Sequence, residues 1–153
     1  MIGGQAALAR GAPLITRDLD VTPARGRENL ERLAAALREL DARLRTAAEP
    51  DGVAFPLEAT MLESAGSWTL VTSAGELDIH FSPSGTRGYD DLRRDADRLQ
   101  LDEGLTVLVA SLLDVIRSKE AAGREKDTAM LPLLRRTLEQ IRKREREPPG
   151  LDL

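Results

Sequence analysis

Two segments of the chain alternate apolar and polar residues, the pattern typical of β-strands with one buried face. The first is "LITRDLDV" (residues 14–21), in which Asp18 and Asp20 share the polar side. The second is "GELDIHF" (residues 75–81), in which Asp78 lies on the polar side. Each strand is therefore predicted to bury its other face. That face of the first segment carries Ile15, Leu19 and Val21, with Arg17 among them.

Leucine and alanine recur at helical spacing in other parts of the chain. Over residues 27–45 they fall every three or four positions as far as Leu44, which predicts one long amphipathic helix. The C-terminal third predicts two more helices, one ending at Gly123 and one over residues 124–144. At the N-terminus, "MIGG" resembles the last two residues of a strand that enters a glycine turn, followed by a short helix.

Turn residues divide the remaining chain. β-rich runs on both sides of Gly75 predict a hairpin, and a second hairpin is predicted to turn at Gly104. Residues 46–66 contain prolines and glycines and read as a long connection. We therefore expect an α/β (α+β) fold, a small mixed sheet backed by helices with further helices at the C-terminus. It would form a single domain over residues 1–145, with a flexible tail over 146–153.

Composition limits the function classes. With 153 residues, 41% of them hydrophobic, the chain can form one core, and its net charge of -4 gives no overall attraction to nucleic acid. No cysteine is present, which excludes disulfides and thiolate metal sites and is usual in a reducing cytosol. No apolar run approaches the roughly 20 residues of a membrane span. We expect a cytoplasmic protein without a membrane segment.

The three strand aspartates are the candidate chemical groups. Residues i and i+2 of a strand share a face, and a residue on the neighbouring strand lies roughly 5 Å away. Asp18, Asp20 and Asp78 could therefore surround metal ions, and carboxylate oxygens favour Mg²⁺ or Mn²⁺. A divalent cation would also remove the repulsion between the carboxylates. The competing interpretation is a set of solvated strand residues.

These motifs resemble the nucleotidyltransferases of the polymerase-beta type in their small bacterial form. The resemblance is in motif order: Gly3 and Gly4, then Asp18 and Asp20, then Asp78 on a later strand. The segments "GELDIHF" and "ASLLDVIRSKEAAGREKD" are similar to segments of bacterial members related to the AbiEii-type toxins and the lincosamide nucleotidyltransferases. The resemblance covers residues 2 to about 140.

The resemblance implies transfer of a nucleoside monophosphate from an NTP to an acceptor hydroxyl. The three aspartates would be catalytic and hold the metals. Nucleotide-binding roles are implied for the glycine turn, for the residue after it and for cations of the C-terminal helices: Gly3, Gly4, Gln5, Lys119, Arg124 and Lys126, with Asp127 beside them. The acceptor stays open between a tRNA end, a small molecule such as an antibiotic, and a protein.

Several residues also have ordinary structural interpretations. His80 shares a strand face with Asp78, so it either touches metal or substrate or is an exposed strand histidine. Lys119 and Arg117 either lie at the site or complement the dipole at the end of their helix.

The start of the chain departs from the family pattern. Members carry a helix and a full strand before the glycine pair, whereas only Met1 and Ile2 stand there in this sequence. Three explanations of this short start are expected. The true start of the protein lies upstream, another element or a second subunit fills the gap, or the domain has decayed. The last case favours the alternative function, a catalytically silent domain that acts in binding or assembly, such as a toxin–antitoxin component. Besides an NTP and the acceptor, the expected partners are an antitoxin or a second copy of the chain.

Overall fold

The computed structural model describes residues 1–146 and has the predicted mixed α/β architecture, with a four-stranded sheet and a separate two-stranded sheet. The strands of the larger sheet are β1 (Asp18–Val21), β2 (Arg43–Leu44), β3 (Ser67–Thr72) and β4 (Gly75–His80). Their order is β1-β4-β3-β2, with β1 parallel to β4 and the other pairs antiparallel. The second sheet pairs β5 (Asp97–Asp102) with β6 (Leu105–Val109). Both predicted hairpins are confirmed.

Six helices surround the sheets within the described part of the chain. Their bounds are α1 (Gly3–Ala9), α2 (Arg27–Glu39), α3 (Ala59–Glu63), α4 (Tyr89–Arg93), α5 (Leu112–Ala122) and α6 (Glu125–Arg146). The C-terminal helices are as predicted, and α5 ends where Gly123 adopts the left-handed conformation (φ 62°). The expected tail beyond Arg146 lies outside the described residues.

The first long helix is shorter than predicted. It ends at Glu39 because Asp41 takes a left-handed conformation (φ 49°), and the amide of Ala42 donates to the carbonyl of Leu37. This is the Schellman arrangement that closes many helices. Leu44, predicted on the helix, belongs to β2 instead.

The predicted first strand is also shorter, since pairing begins only at Asp18. Ile15, predicted to be on a buried face, is 92% exposed, and Leu19 is 39% exposed. The physical reason is position: Ile15 precedes the paired segment, and β1 is an edge strand of the larger sheet. Val21, further along the same face, does pack against the core.

Two hydrophobic clusters hold the molecule together. One joins α2 and α3 to the apolar face of β3 and β4, with Leu30, Leu62, Leu70 and Ile79 at its centre. The other joins α1, the end of β6, α5 and α6. The face of β1 and β4 that carries the aspartates lines a cleft, together with residues of α5 and α6.

The N-terminal residues connect the two sheets. The amide of Ile2 donates to the carbonyl of Asp20, while the Met1 amino group donates to Leu108 and the Met1 carbonyl accepts from Ala110. Ile2 forms a single antiparallel bridge rather than a strand. This bridge places the start of α1 directly against the aspartates of β1.

A candidate metal centre in the cleft

The parallel pairing of β1 and β4 sets two carboxylates opposite each other. Asp20 is in register with Asp78, and Asp18 is in register with Glu76. Because alternate residues of a strand share a face, His80 lies on the same side as Asp78. The predicted meeting of acids from two distant segments is therefore present for Asp20 and Asp78.

Asp20, Asp78 and His80 form a group that can hold a metal ion. One ligand atom from each lies within 4.8 Å of the other two, and His80 Nε2 is 3.7 Å from Asp20 Oδ1. A cation with ligand distances of about 2.1 Å joins ligand atoms that are about 4 Å apart or less, so small side-chain rotations would complete such a site.

An unpaired oxygen supports the fit of a cation. Asp78 Oδ1 is buried and has no hydrogen-bond partner among the described residues. A buried carboxylate oxygen without a partner is costly in a folded protein. A metal ion bound between Asp78 and Asp20 would satisfy it.

Asp18 lies outside this close group. Its Oδ1 accepts a hydrogen bond of 2.7 Å from the hydroxyl of Thr16, which lowers its pKa below the ordinary value. The positive charges of Lys126 and Lys119 act in the same direction. Asp18 remains a predicted metal ligand, at the side of the cleft where these lysines lie.

Asp20 has the opposite electrostatics. Burial and the neighbouring charges of Asp18 and Asp78 raise its pKa to about 6, despite the opposing effects of His80 and Lys119. The ionised form is thus disfavoured in the metal-free protein. A divalent cation would reverse this balance.

The two glycines leave room for the side chains of the site. A Cβ on Gly3, whose φ is +66°, would stand 2.0 Å from Asp20 Oδ2. A Cβ on Gly4 would stand 2.8 Å from the Thr16 hydroxyl. The glycine pair therefore permits close packing of α1 against the acids. Gln5 lies in the same helix but lines neither cavity of the cleft.

Cations from α5, from the junction after it and from α6 form the opposite wall. Lys119 Nζ donates to Asp127 Oδ1 over 2.9 Å, and Arg124 Nε donates to Asp127 Oδ2 over 2.5 Å. The hydrogen bond to Asp127 raises the pKa of Arg124, and the charges of Asp20 and Asp78 raise it further. Lys126 lines the cleft as well. The three predicted cations are thus brought to the aspartates.

The cleft consists of two adjoining cavities. One, of about 210 Å³, contains the three aspartates, Thr16 and Lys126. The other, of about 240 Å³, extends between α4 and α5 and has apolar and hydroxyl-bearing walls. Four residues line both cavities: Asp20, His80, Lys119 and Arg124. The combined space can hold a ligand with a charged part and a less polar part.

Arg117 does not belong to this site. Its NH2 group donates to Asp91 over 3.0 Å and to Asp114 over 2.7 Å. Arg117 therefore has a structural role and lines neither cavity, although its partner Asp114 lines the second one. Lys119, two residues later, lines both.

Sequence reasoning missed the role of two residues. Thr16 bonds Asp18, and a lone threonine in an extended segment gives no signal of this. Asp127 was placed beside the site only by resemblance, and its burial between two cations depends on how α5 and α6 pack. The spacing of Asp127 from Arg124, i to i+3, is the one local signal that could have indicated a pair.

Comparison with known proteins adds no assignment: no protein-family model matches the chain, and no curated protein matches it. Within residues 1–146, no helix has the length and apolar character needed to cross a membrane. The cleft geometry therefore carries the functional argument.

Proposed function

We propose that the chain is a metal-dependent nucleotidyltransferase that transfers a nucleoside monophosphate from an NTP to an acceptor hydroxyl. The observation that carries the proposal is the facing pair of Asp20 and Asp78, with an unpaired buried oxygen on Asp78. Lys119 and Arg124 on the opposite wall add the positive charge that a polyphosphate needs. The motif order Gly-Gly, Asp-x-Asp and a later aspartate is also that of the resembled family.

The proposed reaction is one displacement at the α-phosphorus. The acceptor oxygen forms a bond to that phosphorus as its proton passes to a carboxylate, for which we propose Asp78. The bond between the α-phosphorus and the bridging oxygen breaks, and pyrophosphate leaves with the electron pair. Lys119 and Arg124 stabilise the charge on the departing pyrophosphate. Gly3 and Gly4 allow the nucleotide to lie close to the start of α1.

Asp20 and Asp78, together with Asp18 or His80, would hold the divalent cation. When bound, the metal supplies charge stabilisation at the phosphates and lowers the pKa of the acceptor hydroxyl. Oxygen ligands fit Mg²⁺ and Mn²⁺ alike, but an imidazole ligand is less suited to Mg²⁺. We therefore propose that Mn²⁺ binds more tightly than Mg²⁺ if His80 coordinates, and that either ion fits if Asp18 does.

Calorimetry with Mn²⁺ or Mg²⁺ and each NTP tests the proposal. We expect the wild-type chain to bind one or more NTPs only in the presence of metal, and the Asp18→Ala, Asp20→Ala double variant to lose this binding. Pyrophosphate release with candidate hydroxyl acceptors then tests transfer. Equal heats for the wild-type and double-variant proteins would contradict the enzyme and favour a catalytically silent domain of the same fold.

A further inference from the structure

Within residues 1–146, two buried aspartates each bridge two or more cations, but only the cations of one of them line the cleft. Asp127, in the first turn of α6, is 0% exposed, and each of its oxygens bonds a different cation, Lys119 or Arg124. Asp91, in α4, bonds Arg94 and Arg117. Arg87 also pairs with Asp91, and none of these three arginines lines the cavities of the cleft.

The Asp127 cluster forms at the junction of two helices. Lys119 lies in the last turn of α5, Gly123 ends that helix, and Arg124 precedes α6. Asp127 engages Arg124 through Nε. That bond does not use the two terminal nitrogens of the guanidinium, which leaves them for an anion.

Stability alone does not account for such a cluster. Replacement of a buried ion pair by apolar side chains is often neutral or stabilising. Free lysine and arginine side chains, by contrast, have high rotamer entropy, part of which is lost when they bind a ligand. Fixing both cations before binding reduces that loss.

The geometry points to Asp127 as a positioning residue that holds Lys119 and Arg124 on the cleft wall beside Asp20, oriented to receive the triphosphate of the nucleotide. This inference rests on the proposed function, because it names the group that prepares the cations of the same site. Asp127 acts through its two partners and does not itself contact the substrate.

The test is calorimetric binding of inorganic tripolyphosphate at saturating Mn²⁺, with binding of Mn²⁺ alone measured in parallel. Asp127→Asn retains the shape of the side chain and removes its charge. We expect tripolyphosphate affinity to fall about tenfold, since both cations must then lose rotamer freedom on binding. Affinity for Mn²⁺ alone should stay within about twofold, because Asp127 is not among the metal-binding group.

Asp91→Asn is the matched control, since Asp91 is also buried and pairs with more than one arginine: Arg87, Arg94 and Arg117. It should leave tripolyphosphate binding unchanged. Equal loss in both variants, or wild-type affinity in Asp127→Asn, would overturn the positioning role. If Asp127→Asn does not fold, Asp127→Glu decides, because it keeps the charge but moves it by one methylene. A similar loss of affinity supports the inference, and wild-type affinity overturns it.

The wild-type protein separates this inference from the proposed function. If it binds neither tripolyphosphate nor any NTP with Mn²⁺ present, the proposed function fails, and the inference fails with it. If the wild-type protein binds and Asp127→Asn binds equally well, only the inference fails.

Discussion

Among the acids of residues 1–146, the buried Asp91 and Asp127 have surroundings opposite to those of the half-buried Asp20 and Asp78. Asp91 and Asp127 are enclosed and fully bonded: the backbone amide of Arg87 and the guanidinium of Arg117 lower the pKa of Asp91. Burial raises the pKa of Asp127, but hydrogen bonds from Arg124 and Lys119 outweigh it, so the pKa is below its ordinary value. Asp20 and Asp78 instead face each other, with a raised pKa at Asp20 and an unpaired oxygen at Asp78.

The carboxylates of Asp91 and Asp127 stabilise the fold, whereas those of Asp20 and Asp78 are available to a ligand. An acid with two cationic partners is satisfied by the protein itself, whereas an acid beside other acids needs something from outside. The Asp-x-Asp segment contains both kinds, since Asp18 is bonded by Thr16 while Asp20, two residues later, is opposed by like charges. Substitutions in each group test whether this distinction is real.

The largest effect is expected from Asp78→Asn. Loss of one carboxylate from the group of Asp20, Asp78 and His80 should weaken Mn²⁺ binding about a hundredfold or more. Even mutation of a residue that hydrogen-bonds a metal ligand lowers metal affinity about 10–100-fold. Isothermal titration calorimetry measures the change.

Glu76→Gln is the control on the same strand face, two residues from Asp78. Glu76 has its own partner, since Arg45 NH1 donates to its Oε1 over 3.2 Å. Its removal should leave metal affinity unchanged. A similar loss in both variants would show that general negative charge attracts the ion and that no specific centre exists.

The next effect concerns stability without metal. The folded-state pKa of Asp20, about 6, lies above its unfolded value, so its ionisation disfavours the fold at pH above 6, and this cost disappears as the pH falls toward 4. Asp20→Asn should therefore raise the free energy of unfolding by up to about 3 kcal/mol at pH 8 in EDTA. The gain should shrink toward pH 4.

Urea unfolding at both pH values, with and without Mn²⁺, provides the measurement. Added Mn²⁺ should stabilise the wild-type protein and leave Asp20→Asn unaffected. An Asp20→Asn protein less stable than wild type at pH 8 would place Asp20 in the same group as Asp91.

Much of the fold followed from local sequence. Alternation and turn residues predicted both hairpins, and helical spacing predicted α2, α5 and α6. The errors arose where tertiary contacts decide. Helix α2 ends at a left-handed Asp41, where the sequence has no glycine to indicate a helix end. The exposure of Ile15 depends on where β1 begins to pair with β4.

The candidate site was less completely predictable. Strand periodicity placed Asp20 and Asp78 on one face, but their exact register required the parallel pairing of segments far apart in the chain. The same limit applies to Asp127, whose partner Lys119 lies on another helix. Sequence identified which groups carry the chemistry, and packing determined which of them have partners.

A smaller effect is expected at His80, on metal selectivity. Its Nε2 lies 3.7 Å from Asp20 Oδ1 and contributes a nitrogen to the close group. His80→Gln should reduce the preference for Mn²⁺ over Mg²⁺ about tenfold, since imidazole favours the transition metal and an amide oxygen does not. Competition titrations of the two ions measure the ratio. An unchanged ratio would make Asp18 the better candidate for the third ligand.

The smallest effect on metal binding is expected from Asp91→Asn, which should leave Mn²⁺ affinity unchanged while it lowers stability. The folded-state pKa of Asp91 lies below its unfolded value, so its stabilising contribution is present above pH of about 4 and is lost as the pH falls through the folded-state value. Urea unfolding should therefore show a less stable variant at pH 7 and a narrower difference from wild type at pH 3. A variant that weakened Mn²⁺ binding as strongly as Asp78→Asn would remove the distinction between the two groups of acids, because it would show that the Asp91 network and the cleft act as one unit.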